Sequence, residues 1–301
     1  MSYKLDLGDD LAATVRATAR EQLEEGAAVL RDEQADDPVG AVHQARKNVK
    51  KSRALLRLVR SELDDETYRR ENRSLRDAAR TVAHVRDADV MVETAEAVQE
   101  HFAGRLPANA FEDLRSALTK QADDARPGID GRLGEDLTAA LEASAARVED
   151  WPLDGAGWST ARKGAARAYA RGRKAFAVAD ADPTTENLHE WRKRVKDLWY
   201  HERLLKNAWP AVLEAQADEA HTLSDLLGDE HDMAVLAERL DDDPPTKHAD
   251  ASLGLIDERR AELLAQIRAL GRRVYAEKPK AFARRIGRYV KAARAGDPVP
   301  A

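Results

Sequence analysis

Apolar residues recur at intervals of three and four along most of this chain. Val42, Ala45, Val49, Leu56 and Val59 make one such series, and Leu188, Trp191, Val195, Leu198 and Leu205 make another. Those intervals place each series on one side of an α-helix, as the buried seam of an amphipathic element. The flanking segments are rich in Ala, Leu, Arg and Glu and poor in the β-branched and aromatic runs of strands, so the pattern predicts an all-α protein. Helix breaks are expected at Asp37-Pro38, Leu106-Pro107, Arg126-Pro127-Gly128, Trp151-Pro152 onward to Gly157, Asp182-Pro183, Trp209-Pro210, Asp243-Pro244-Pro245 and Lys278-Pro279. At each of them proline or glycine interrupts the period.

The polar positions beside the seams also repeat. The pattern His-x-x-Arg-Lys-x-x-Lys occurs at His43, Arg46, Lys47 and Lys50, and again 146 positions later at His189, Arg192, Lys193 and Lys196. Steps of three, four and seven put all four side chains of a copy on one helix face. Each stripe is rotated by one residue from its apolar seam, so it borders the core and lines a cleft edge or a surface. Asp37-Pro38 precedes the first copy as Asp182-Pro183 precedes the second, which predicts entry through an Asp cap and an early proline in both. Downstream, Val85-Arg86-Asp87-Ala88-Asp89-Val90 is echoed by Glu230-His231-Asp232-Met233-Ala234-Val235. Such a displacement in a chain of 301 residues predicts one fold made of two similar halves, residues 1–150 and 151–301, with the seam between Trp151 and Gly157.

Composition narrows the chemistry. Cysteine is absent, which excludes disulfides, thiol nucleophiles and cysteine-ligated metal sites and suits a reducing cytoplasm. The first ten residues lack the basic head and apolar centre of a signal peptide, and no apolar stretch approaches the ~18 residues that cross a bilayer. A soluble cytoplasmic protein is expected. The formal net charge of −6 would disfavour an anionic partner only if it were evenly spread, and it is not. Residues 43–57 hold six Lys or Arg and no acid, residues 159–179 again six and none, and residues 268–294 ten against the single acid Glu277, while residues 21–37 carry seven acids and one Arg. Lys and Arg held on a rigid helix offer preorganised charge to phosphate, Arg as a planar fork and Lys as a point charge.

Together these features resemble the CHAD domains, conserved-histidine α-helical domains that bind inorganic polyphosphate. The resemblance runs over essentially the whole chain. It rests on His43-Gln44-Ala45-Arg46-Lys47 with Lys50, on residues 85–90, on Tyr169-Ala170-Arg171-Gly172-Arg173-Lys174, and on Leu188-His189-Glu190-Trp191-Arg192-Lys193-Arg194-Val195-Lys196 followed by Leu226-Leu227-Gly228-Asp229 and His231-Asp232. It implies two helical bundles related by a pseudo-two-fold axis, with the motif helices facing a basic central channel or cleft. Carried onto this chain, the anion-binding role falls on His43, Arg46, Lys47 and Lys50, and on His189, Arg192, Lys193 and Lys196. Extending those helices adds Arg53 and Arg57 in the first half and Tyr200 and Arg203 in the second.

The halves are unequal, since Ala54 stands where the second half has Tyr200, and Glu190 and Asp197 interrupt the second stripe. Lys163, Arg167, Arg171 and Lys174 form another cationic row, as do Arg284, Arg288 and Lys291, and both are expected to form an outer layer of the same field. In the first half Arg16 and Arg20 begin a matching row that turns acidic at Glu21, Glu24 and Glu25. Beside phosphate, His43 and His189 are expected to donate hydrogen bonds and to be drawn toward the charged form. Asp87, Asp89 and Asp232 repel phosphate and are expected to cap helices or orient arginines. Lys120 and Arg147 lie outside all the stripes and serve as a surface reference pair.

Two other function classes remain. His231-Asp232 with His201 or His221 faintly resembles the metal-dependent HD phosphohydrolases, but His231 aligns with Arg86 of the other half and no distal Asp is placed. No Glu-x-Glu-x-Lys strand of a triphosphatase occurs. Nucleic acid is the other alternative, because a phosphate-binding channel is indifferent to what its phosphates belong to; aromatics for base stacking make up only 5% of the chain. The expectation is a non-catalytic polyphosphate-binding protein without metal or cofactor, associated with polyphosphate-granule components and with no membrane.

Overall fold

The computed structural model describes residues 3–8, 10–33, 36–81, 83–105, 115–120, 131–242 and 249–296, with the side chains of 33, 83–89, 131–133, 242 and 249 left aside. The breaks expected at Leu106-Pro107, Arg126-Pro127-Gly128 and Asp243-Pro244-Pro245, and the side chains of Asp87 and Asp89, lie outside the described residues. The long helices are α1 (Leu11–Glu33), α2 (Pro38–Leu58), α3 (Asp65–Thr81), α4 (Ala83–His101), α5 (Gly131–Ala146), α6 (Trp158–Ala181), α7 (Thr185–Leu204), α8 (Pro210–Asp242), α9 (Ala249–Val274) and α10 (Pro279–Arg294). There is no strand among the described residues, and the fold is all-α.

Each helix sits where its pattern puts it. Every member of the two apolar seams is buried, from Val42 through Val59 and from Leu188 through Leu205. Asp37 caps α2 by accepting from the Gly40 amide, with Pro38 in the first turn. The second motif helix departs from that expectation. Its cap is Thr184, whose hydroxyl accepts from the Asn187 amide, because Asp182 instead ends α6 and receives the Asn187 side-chain amide. Pro210 and Pro279 open α8 and α10.

On one side α1 packs against α2 and α5, and α3 against α5; on the other, α6, α7, α8 and α9 pack in sequence, with α10 laid on α6. The two sides meet where α2 contacts α6 and α7 and where α4 contacts α8 and α9. The α2–α6 approach is close enough that a Cβ at Gly164 would fall 1.9 Å from the Leu58 carbonyl oxygen, so glycine is required there. The segment before α1 is tied to the same junction. Leu5 gives its amide to the Leu204 carbonyl and takes a hydrogen bond from Asn207, while the Tyr3 hydroxyl donates to the Lys51 carbonyl. Tyr3 and Leu5 are fully enclosed. Among the described residues no helix is long and apolar enough to cross a membrane.

Arg147 belongs to the packing and not to the open surface. Its guanidinium forms a two-pronged pair at 2.9 and 3.0 Å with Glu71, which is 0% exposed, so it cannot serve as a neutral reference position.

Candidate functional site

Between α2, α4, α7, α8 and α9 lies a cavity of about 1420 Å³, and all eight residues of the two motif copies line it. Ten lysines and arginines and five histidines face it against five carboxylates, an excess of cation in a protein whose formal charge is −6. The cause is local. α2 and α7 cross with their apolar seams turned into separate packing faces, and the position next to each seam projects into the space between them.

Tyr200 and Arg203 line the cavity as the extension of α7 predicts. The extension of α2 fails at the crossing with α7. Around Ala54, whose carbonyl meets the His201 ring at 2.9 Å, the α2 stripe turns away from the cavity. There Arg57 pairs with Asp197 at 3.1 Å and Arg53 donates to Asn72 at 3.0 Å. Burial, then the charge of Arg57, pushes Arg53 down to about 10. Lys163, Arg167, Arg171 and Lys174 on α6, and Arg284 and Arg288 on α10, likewise lie outside the lining. Arg167 donates to the Arg57 carbonyl, and burial lowers its pKa. The other five project outward, because the small and aromatic residues of α6 and α10 turn inward against their neighbours.

The second copy is desolvated and crowded. Lys196 is held down at about 7, first by burial and then by Arg192 and Lys50. Burial, Lys193 and His231 together push His189 down to about 4, so its ring is neutral at pH 7 in the empty cavity. The rings of His189 and His231 stand 4.7 Å apart, and each has a buried Nδ1 without a hydrogen-bond partner among the described residues, as does Arg192 at Nε. Such unspent polar capacity in a native fold calls for a partner. Gly228, one turn before Asp232 on α8, lets Arg192 in: a Cβ there would fall 2.4 Å from the Arg192 Nη2.

α8 also contributes Asp225, Asp229 and Asp232 to the lining. Burial, with the charges of Asp232 and Asp225, raises the pKa of Asp229. Asp225 and Asp232 both favour the charged form of Lys196. Sequence reading missed several wall residues. Lys51, His101, His221, Arg239 and Arg259 reach the cavity from five different places in the chain, and Trp199 forms part of its wall with His221 against its ring at 4.1 Å. Only Trp199 and Lys51 carried a signal, as neighbours of the extended stripes.

Two of the histidines weighed as phosphohydrolase ligands are engaged elsewhere. His201 is buried between α2 and α7 on a backbone carbonyl, and His221 pairs with Asp225 at 3.2 Å. Among the described residues no group of three or more His, Asp or Glu is placed to hold a metal ion.

A search of the curated proteins finds no match to this chain. The family model described as CHAD domain matches residues 13–241. The match ends before α9 and α10, so it covers less than the whole-chain resemblance suggested, although α9 supplies Arg259 to the cavity wall. With more than half of its length matched, the chain belongs to the CHAD domain family.

Proposed function

We propose that the protein binds inorganic polyphosphate in this cavity and does not hydrolyse it. The observation that carries the reading is the convergence of both copies of His-x-x-Arg-Lys-x-x-Lys, 146 positions apart, on one cation-rich cavity. A long uniform anion engages both copies at once, and each phosphate bound releases condensed counterions. Membership of the CHAD domain family agrees with a polyphosphate-related role. The partly buried wall strengthens each phosphate contact relative to one in open water. On this reading the halves act as two sides of one binding channel, and the protein works in the cytoplasm at polyphosphate granules.

Titration of the full chain with long-chain polyphosphate, triphosphate and single-stranded RNA tests this directly. Polyphosphate is expected to bind tightest, with affinity falling log-linearly as salt rises and improving with polymer length until the cavity is filled. Equal or tighter binding of RNA, or a salt-insensitive interaction, would defeat the proposal. No orthophosphate is expected from polyphosphate, triphosphate or nucleoside triphosphates with magnesium, manganese or zinc present. Turnover abolished by His231→Ala or Asp232→Ala would replace binding with the phosphohydrolase reading.

A further inference from the structure

The two cationic rows that miss the cavity stand side by side on the outside of the molecule. α6 and α10 pack antiparallel: Tyr169 stacks on Phe282 at 4.2 Å, Arg173 donates to the Glu277 carbonyl near one end, and Arg162 lies over Gly287 near the other. This packing consumes the apolar faces of both helices, with Phe282, Ile286 and Val290 buried. It leaves Lys163, Arg171 and Lys174 exposed on one ridge and Arg284, Arg288 and Lys291 exposed on the next. None of the six forms an ion pair among the described residues, and the nearby acids are already engaged, Asp180 by Arg268 and Glu277 by Arg285. No acid occurs within residues 159–179 or 279–294. In a chain with net charge −6, such segregation makes a local field that the overall charge conceals.

We infer that this α6–α10 face is a second polyanion site, separate from the cavity, and that its occupant is duplex nucleic acid held through its phosphates. The cationic rows carry no exposed aromatic of their own, and the exposed Trp209 beside α10 stands edge-on against Tyr289, a single ring where a run of unpaired bases needs several. The only large exposed apolar side chain on α6 is Val178, one turn beyond Lys174, and the apolar residues of α10 point into α6, which leaves the face no apolar surface to enter a bilayer. Nor does it offer the buried aromatic anchor on which protein interfaces depend. What it offers is charge at regular intervals. At about 1.5 Å per residue the α6 row runs roughly 16 Å and the α10 row roughly 10 Å. Successive phosphates of one strand lie about twice their 3.4 Å axial rise apart along the backbone, so each row matches about two or three of them. Contacts of this kind position a duplex without reading its sequence. With the cavity independently loaded, the protein would bridge polyphosphate to nucleic acid.

The test uses the full chain, a fluorescent DNA duplex of about 20 base pairs at low salt, and anisotropy as the readout, since phosphate-driven affinity falls steeply with salt. A variant with Lys163→Ala, Lys174→Ala, Arg284→Ala, Arg288→Ala and Lys291→Ala should bind the duplex at least about tenfold more weakly, with a salt slope lower by about 0.9 for each phosphate no longer neutralised. A companion variant exchanging Lys for Arg and Arg for Lys at the same positions should bind like the parent, showing that charge is what matters. Polyphosphate affinity should be unchanged in both, and saturating short polyphosphate should not displace the duplex. Duplex binding that survives the alanine changes overturns the inference, as does displacement by polyphosphate together with loss in an Arg46→Ala, Lys50→Ala, Arg192→Ala, Lys196→Ala variant. Capture on phosphatidylserine vesicles without duplex binding would assign the face to a membrane and also overturn it. If the cavity variant keeps its polyphosphate affinity while the outer variant loses the duplex, the proposed function fails and this inference stands.

Discussion

The two motif helices carry the same residues at the same spacing and meet different surroundings. On α2 the stripe runs through fifteen residues without an acid. On α7 Glu190 holds Lys193 and Arg194, Asp197 holds Arg194 and reaches across to Arg57, and three carboxylates of α8 share the cavity wall. Burial and the neighbouring cations outweigh those carboxylates, so Lys196 is only part charged at pH 7 and the His189 ring is neutral there. Spacing decides which side chains face the cavity, while the neighbouring helices decide how much charge they bring.

The largest effect should come from removing both copies. Arg46→Ala, Lys50→Ala, Arg192→Ala and Lys196→Ala together are expected to abolish most polyphosphate affinity and to lower the salt slope by up to about 2.8, taking about 0.7 per phosphate for a single strand. Thermal melting should move by only a few degrees, because none of the four belongs to the buried core. Full affinity in this variant would place the anion elsewhere.

Splitting the four changes measures the inequality. At pH 7 the Arg46→Ala, Lys50→Ala variant should lose more affinity and more salt slope than the Arg192→Ala, Lys196→Ala variant, since Lys196 enters the empty state only part charged. At pH 6 the gap should narrow. A larger loss from the second pair at both pH values would show that desolvation, and not charge count, sets the contribution.

That much was legible in sequence because seam and stripe are properties of one helix. The eight cavity residues follow from a period and a repeat. Arg53 and Arg57 do not, since their fate depends on where α2 crosses α7, and no single-helix pattern encodes a crossing point. The same reason hid Arg259 and His101, each brought to the wall by a different helix, and disguised Arg147 as surface when its partner is the buried Glu71. The α6 and α10 rows were identifiable as cationic faces, but period alone did not say which neighbour they would turn away from.

The pH profile sharpens the comparison further. Binding an anion raises the pKa of Lys196 above its empty-state value of about 7, so the complex holds more protons than the free protein. The Lys196 contribution should therefore be fully developed below about pH 7 and decline above it until the bound-state pKa is passed, by at most tenfold per pH unit for one proton. His189, at about 4 when empty, adds a like-signed gain on acidification below neutrality. Titrations at constant ionic strength check this. Lys196→Arg should flatten the decline above pH 7, and a flat profile in the parent would mean that Lys196 does not touch the anion.

The smallest effect is expected from Gly228→Ala. The added methyl displaces the far end of the flexible Arg192 side chain and no backbone, so affinity should drop a few-fold with the fold preserved. An unchanged affinity would mean that Arg192 binds equally well from another rotamer.

The clasp made by Tyr3 and Leu5 bears on how the chain is made. The backbone of Leu5 finds its partners at the Leu204 carbonyl and the Asn207 side chain, about two hundred positions later in synthesis. At ordinary synthesis rates of 5–20 residues per second that is a wait of roughly ten seconds or more. The segment before α1 therefore docks fully only after α7 has been completed, and the junction of the two sides closes with it.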